Sequence, residues 1–175
     1  MAIHRLNHAV LYVQDVARSA DFYCGVLGFT PIEGSVTSRG AAFLRAPGST
    51  NDHDLGLFEV GDEVPAAGRR PSVGLYHLAW EVDTLTDLRS LARALAEAGS
   101  LIGSSDHSTT KSLYGRDPDG LEFEICWIVP ADQIDDDMLA NRTYIRPLDL
   151  DREMSRFGAD TPGGLGVSRP LGAGW

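Results

Sequence analysis

The feature that most constrains this chain is that, up to about residue 128, it reads as two copies of one unit. Laying residues 3–60 against 72–126 aligns the same succession of patterns twice, and internal repetition decides architecture before any local reading does. Each copy opens on an apolar strand, over 6–13 and 74–82. Each then predicts a helix, over 16–27 with Val16, Ala20, Tyr23 and Leu27 on one face, and over 85–98 with Leu88, Leu91, Leu95 and Ala98 at the same spacing. Gly28 and Gly99 stop the two helices. The rest of each copy alternates like half-buried strands, with turns at Ala46-Pro47-Gly48 and Asp117-Pro118-Asp119-Gly120. The unit is β-α-β-β-β, and the expected fold class is α+β: two paired βαβββ modules, about 3–60 and 72–128, forming one domain over 1–128.

Between the copies, residues 61–71 are rich in Gly, Pro and charge and read as a connecting loop or lid. Beyond the repeat lies a C-terminal extension over 129–175. It shows helical patches near 132–141 and 150–157, then a glycine-rich end over 161–175 expected to pack across a dimer or over the mouth of a site.

With 43% apolar and 23% charged residues in 175, the chain is a globular domain with a proper core. A formal charge of -10 argues against nucleic acid and anionic membrane surfaces as partners. No apolar run approaches the roughly 20 residues that span a bilayer, and the start of the chain carries no signal-peptide pattern. A cytoplasmic protein acting on a small molecule is expected, as a homodimer, the commonest state of small enzymes. Cys24 and Cys126 are too few and too distant to frame a fold by disulfides, and read as core thiols.

His8 and His77 occupy equivalent positions in the two copies, each opening a strand, and Glu124 ends the run Asp117-Pro118-Asp119-Gly120-Leu121-Glu122-Phe123-Glu124. A strand histidine taken alone is often only a partly buried residue with a satisfied ring. A pseudo-twofold pairing of modules, however, brings the first strands side by side, so that both imidazoles enter one cleft. Two imidazoles and one carboxylate can hold Fe(II) on one face and leave the opposite face open. Each ring then needs an acceptor for its second N–H. Glu122 shares the strand face of Glu124, and an inward glutamate is costly unless paired or metal-bound; both are candidates at this point.

These residues resemble the vicinal oxygen chelate superfamily (glyoxalase/bleomycin resistance/dioxygenase), and within it the type I extradiol catechol 2,3-dioxygenases, over roughly residues 3–128. The family's ligands are a histidine opening the first strand of each of two modules and a glutamate on the last strand. His8, His77 and Glu124 fit in that order, which selects Glu124 over Glu122. His53-Asp54-Leu55-Gly56-Leu57 looks like the segment whose histidine is an acid–base residue. Tyr114-Gly115-Arg116-Asp117-Pro118-Asp119-Gly120 is similar to a shared element with a tyrosine at the substrate, and His107 matches a substrate-side histidine shortly before it. The resemblance implies Fe(II), with Mn(II) an acceptable substitute, and a small aromatic diol and O2 as substrates. The larger dioxygenases carry a second, metal-free pair of modules; a single-pair member is expected here.

Each of these residues also has a plainer reading. His53 lies in the polar stretch Ser49-Thr50-Asn51-Asp52-His53-Asp54, which reads equally as a surface turn with Asp54 pairing the ring. Tyr114 reads as a strand aromatic, His107 as a solvated loop residue, and His4 fits no pattern and is expected at the surface. In related lyases such as glyoxalase I, the last strand of the first module adds a further carboxylate. Here Leu55-Gly56-Leu57-Phe58-Glu59 puts Gly56 and Phe58 on the face equivalent to Glu124, and neither binds metal. Three protein ligands leave adjacent positions for a bidentate diol and dioxygen. A one-residue slip would swing Glu59 inward. The alternatives are therefore a glyoxalase-like metal-dependent lyase or isomerase, and a metal-free module that binds aromatic drugs.

Overall fold

The computed structural model describes residues 5–34, 40–66 and 73–163. His4, and parts of the predicted loop over 61–71 and of the glycine-rich end over 161–175, lie outside the described residues. The chain divides into two compact units, Met1–Val73 with Asp117–Leu121, and Gly74–Arg116 with Glu122–Trp175. Each contains one βαβββ module, and the architecture is α+β as the repeat requires.

In the first unit β1 (Ala9–Val13), α1 (Val16–Gly25), β2 (Thr30–Pro31), β3 (Ala41–Arg45) and β4 (Leu55–Glu59) come in order, and the sheet runs β1-β4-β3-β2 with β1 parallel to β4. β1 alternates strictly: Leu11 and Val13 are buried, Val10 and Tyr12 exposed. Asp15 caps α1 by accepting the Arg18 N–H at 2.9 Å. Val16, Ser19, Phe22 and Tyr23 turn to the core against Leu44, Leu55 and Leu57. Gly28 then takes φ 78, the left-handed conformation that ends the helix. The Asp-Pro-Asp-Gly turn belongs to this unit: Asp117 accepts the buried Tyr23 hydroxyl at 3.2 Å, and Asp119 accepts the Gln14 N–H at 3.1 Å and pairs with Arg18. Burial raises the Asp117 carboxyl above its ordinary range, and burial followed by Asp117 raises the Tyr23 phenol.

The second unit repeats the order with β5 (His77–Glu81), α2 (Leu85–Glu97), β6 (Leu101–Asp106), β7 (Thr110–Arg116) and β8 (Glu122–Ile128), in a sheet β5-β8-β7-β6. Thr84 and Asp87 form a reciprocal capping box at the start of α2, whose Leu85, Leu88 and Leu95 are fully buried. Gly115 of β7 faces Phe123 of β8, and a Cβ there would collide with the ring, so only glycine fits beneath it. The extension adds α3 (Asp136–Ala140) and α4 (Leu150–Phe157), close to the helical patches read from sequence. Phe157 packs 5.6 Å from the buried Trp127, whose Nε1 donates to the Thr161 carbonyl. Among the described residues no helix is long and apolar enough to cross a membrane.

Two boundaries at the site differ from the sequence reading. β1 begins at Ala9, so His8 stands one residue before it, where the Ala9 N–H makes the first bond to Asp54. β8 continues to Ile128, so Glu124 is interior to the strand instead of closing it, because Ile125, Cys126 and Trp127 go on into the core. Cys126 is buried as expected, its thiol pushed up to about 12 by burial and then by Glu124 and Glu81, whereas Cys24 is only half-buried.

Candidate functional site

In the second unit the period of two in β8 sends Phe123 and Ile125 to the core and leaves Glu122 and Glu124 together on the other face. Their partners differ. Arg116, directly across the ladder, holds Glu122 Oε1 through Nε at 3.2 Å and Nη2 at 2.6 Å. Glu124 lies opposite Ala79 on β5 and Tyr114 on β7. Its Oε1 accepts the Ser112 hydroxyl at 2.5 Å, and its Oε2 stands 3.1 Å from His77 Nε2. The His77 ring is flanked by Tyr76 at 4.7 Å and by Tyr114, edge-on, at 6.2 Å. His77 Nδ1 is buried with no hydrogen-bond partner among the described residues.

Tyr114 shares this face, and its hydroxyl meets His107 Nε2 at 2.9 Å. His107 is thus a half-buried, partnered residue and not a solvated loop histidine. Burial, then the Glu124 carboxylate, raises the Tyr114 phenol above its ordinary value, which keeps it a protonated donor.

In the first unit the His8 and His53 rings lie 4.5 Å apart, with Phe43 4.9 Å from His53. His8 Nδ1 meets the Asn7 amide oxygen at 2.8 Å, and His53 Nδ1 meets Asp52 Oδ2 at 3.0 Å. Both partners only accept, so in the neutral rings Nδ1 carries the hydrogen and Nε2 keeps its lone pair. The expected pairing of Asp54 with the His53 ring is not the arrangement found. Asp54 instead ties the turn together, accepting Ala46 N–H at 2.9 Å, Ser49 Oγ at 2.7 Å and Asn51 Nδ2 at 2.7 Å. Burial alone would raise its carboxyl, but these hydrogen bonds and the neighbouring His53 outweigh burial and hold it below the usual range.

The register disposes of Glu59. In the second module Ala79 pairs with Glu124, and its repeat counterpart Val10 pairs with Gly56 in the first. Glu59 pairs with Val13, and its Oε2 accepts the Val16 N–H at 3.1 Å, at the first turn of α1. It serves the helix start, where a carboxylate complements the unpaired N–H groups.

Within each unit, among the described residues, no three His, Cys, Asp or Glu side chains converge on a metal-sized site. His77 and Glu124 are brought together; His8 stands with His53. The donors nonetheless fit a hard-to-borderline divalent cation. Two ligand atoms each about 2.1 Å from one ion and at right angles to each other lie about 3 Å apart, which is the His77–Glu124 separation. Ser112 and Asn7 supply the outer hydrogen bonds that ligating carboxylates and imidazoles need. Both escaped the sequence reading, although the signals were there: Ser112 is two residues from Tyr114 on the same strand face, and Asn7 adjoins His8.

The fold and its repeated module point to a class. The family model described as Glyoxalase/Bleomycin resistance protein/Dioxygenase superfamily matches residues 5–125, and the chain belongs to that superfamily. A protein named catechol-2,3-dioxygenase from Bacillus subtilis (strain 168) is 32% identical over 120 residues, covering 69% of this chain; the chain spans 40% of the length of that relative. Among solved structures, a glyoxalase/dioxygenase from Nostoc punctiforme superposes with TM-score 0.58 at 23% identity, over 70% of this chain and 89% of that one. A lactoylglutathione lyase from Agrobacterium tumefaciens superposes with TM-score 0.52 at 18% identity, over 72% and 95%.

Proposed function

We propose that the protein is a non-haem Fe(II)-dependent extradiol dioxygenase that opens a catechol-like ring with O2, with His8, His77 and Glu124 as ligands. The observation that carries this reading is the 3.1 Å approach of His77 Nε2 to Glu124 Oε2, with Ser112 fixing the carboxylate and Tyr114 and His107 on the same face. The relative named a catechol-2,3-dioxygenase supports it. Iron, when bound, supplies adjacent positions for the diol and dioxygen and a route for electrons between them.

The side chains do the rest. Asn7 holds His8 in the tautomer whose Nε2 is free to ligate. Asp52 does the same for His53, whose Nε2 lone pair is placed to take a substrate hydroxyl proton. Tyr114, kept protonated, donates toward the substrate side, and His107 orients that hydroxyl. Gly56 at the counterpart of Glu124, and Glu59 held at α1, leave the first module without the carboxylate a lyase shell would use.

The test is anaerobic reconstitution with Fe(II), and separately Mn(II), then oxygen uptake with a panel of catechols. Uptake with stoichiometric ring-opened product is expected. Metal-loaded protein that consumes no oxygen with any diol would sink the reading.

A further inference from the structure

The C-terminal extension has no part in the chemistry above, yet it is wired to the hairpin that carries His107. Lys111 on β7 is 1% exposed, and its ammonium donates hydrogen bonds to two oxygens and makes an ion pair, without an aligned hydrogen bond, with a third. Nζ stands 2.5 Å from Asp106 Oδ1, 2.9 Å from the Ser108 carbonyl, and 2.9 Å from Oε2 of the fully buried Glu153 on α4. The first two partners flank His107 in sequence; the third belongs to the extension. Asp106 Oδ1 also accepts the Ser108 N–H at 2.8 Å, its Oδ2 meets Arg152 of α4 at 3.3 Å, and its backbone exchanges bonds with Arg146. Arg152 Nε meets Glu153 Oε1 at 2.8 Å, so two cations and two anions close the cluster.

The turn they hold is a strained one. Ser108 has φ 69, the left-handed region that a side chain adopts at a cost unless its surroundings impose it. Here the surroundings are Lys111 and Asp106, which grip its carbonyl and its N–H from the α4 face of the sheet. On the other face the same turn delivers His107 to the Tyr114 hydroxyl. Without Glu153, a buried ammonium beside one carboxylate loses the second negative charge that holds it in place.

We propose that α4 is a positioning element for the site: Glu153, through Lys111, sets the Asp106–Ser108 turn so that His107 reaches Tyr114. The kinetic part of this rests on the dioxygenase reading; the structural part does not.

The test uses the full-length, metal-free protein and the imidazole nitrogen resonances of His107, with Tyr114→Phe as the reference for a ring that has lost its partner. Glu153→Gln is expected to move the His107 Nε2 resonance toward its Tyr114→Phe position while those of His53 stay put. A His107 resonance unmoved in folded Glu153→Gln overturns the proposal. If that variant does not fold, Glu153→Asp, which keeps the charge and shortens the reach, is judged by the same resonance. In iron-loaded protein, Glu153→Gln should lower kcat about tenfold with KM within about twofold. Combined with His107→Ala it should lower kcat no further; an additional independent loss overturns the assignment. A shifted His107 resonance in protein that never consumes oxygen would sink the dioxygenase reading and leave this inference standing.

Discussion

Arg116 stands directly across the β7–β8 ladder from Glu122 and grips one oxygen of its carboxylate with two N–H donors, at 3.2 and 2.6 Å. That contact separates two glutamates that share a strand face. Glu122 is neutralised by an arginine, while Glu124 meets, among the described residues, a hydroxyl and an imidazole nitrogen. Of the two, Glu124 keeps an oxygen directed at a group that is itself a metal ligand type.

Metal content should track this division. Glu124→Ala is expected to abolish Fe(II) retention, Ser112→Ala to weaken it by about 10–100-fold, and Glu122→Gln to leave it unchanged. Elemental analysis after anaerobic loading and desalting reads all three, and iron lost equally from the Glu122 and Glu124 variants would contradict the assignment.

The two histidines of different duty should part in the same assay. His77→Ala is expected to lose the metal, whereas His53→Ala should keep it and lose turnover by about 10²–10⁴-fold, the range of a general base. Oxygen uptake alongside metal content distinguishes them; equal metal loss in both variants would refute the roles.

Asp54 predicts an acid-side loss of stability. Its folded-state value lies below the ordinary one, so folding favours the carboxylate. Its contribution is complete above the unfolded value of about 3.9 and disappears as pH falls through the lower folded value. Asp54→Ala should therefore cost about 2–3 kcal/mol at neutral pH, in line with hydrogen bonds to a charged acceptor. The difference should shrink in urea titrations carried below about pH 4. A gap that stays constant to the lowest accessible pH would mean that the charged form is not what stabilises the turn.

The buried cluster beneath the His107 turn should respond asymmetrically. Lys111→Met leaves Asp106 and Glu153 without their ammonium and is expected to cost about 3–5 kcal/mol. Adding Glu153→Met should recover part of that loss, since replacing buried ions together by apolar side chains is far less costly than orphaning one. Denaturant unfolding of the single and double variants measures the coupling, and strict additivity would show the charges to be independent.

Much of the fold was legible because it depends on local periodicity. The repeat, the stripes of α1 and α2, and the stops at Gly28 and Gly99 come from spacing and from φ values that glycine adopts freely. Strand ends were less legible: His8 falls before β1 and Glu124 inside β8, because a strand ends where its ladder partners and core contacts end. Of the site, residue types and order were readable, but partners were not. Nothing in the polar stretch over 49–54 says that Asp52, and not Asp54, takes the His53 ring. That choice arises from Ala46, Ser49 and Asn51 having already engaged Asp54.

The sequence by itself determined that this chain is two βαβββ modules with a histidine at the head of each and a carboxylate on the last strand. Those facts are properties of order and period, and they survive any detail of packing. Tertiary structure decided which carboxylate is engaged by arginine and which faces His77, that Glu59 serves α1, and that Lys111 joins α4 to the turn carrying His107. The physical reason is register: side chains on one strand face compete for the same cross-strand partners. Only the pairing of particular residues, with distances of about 3 Å, settles which charge meets which.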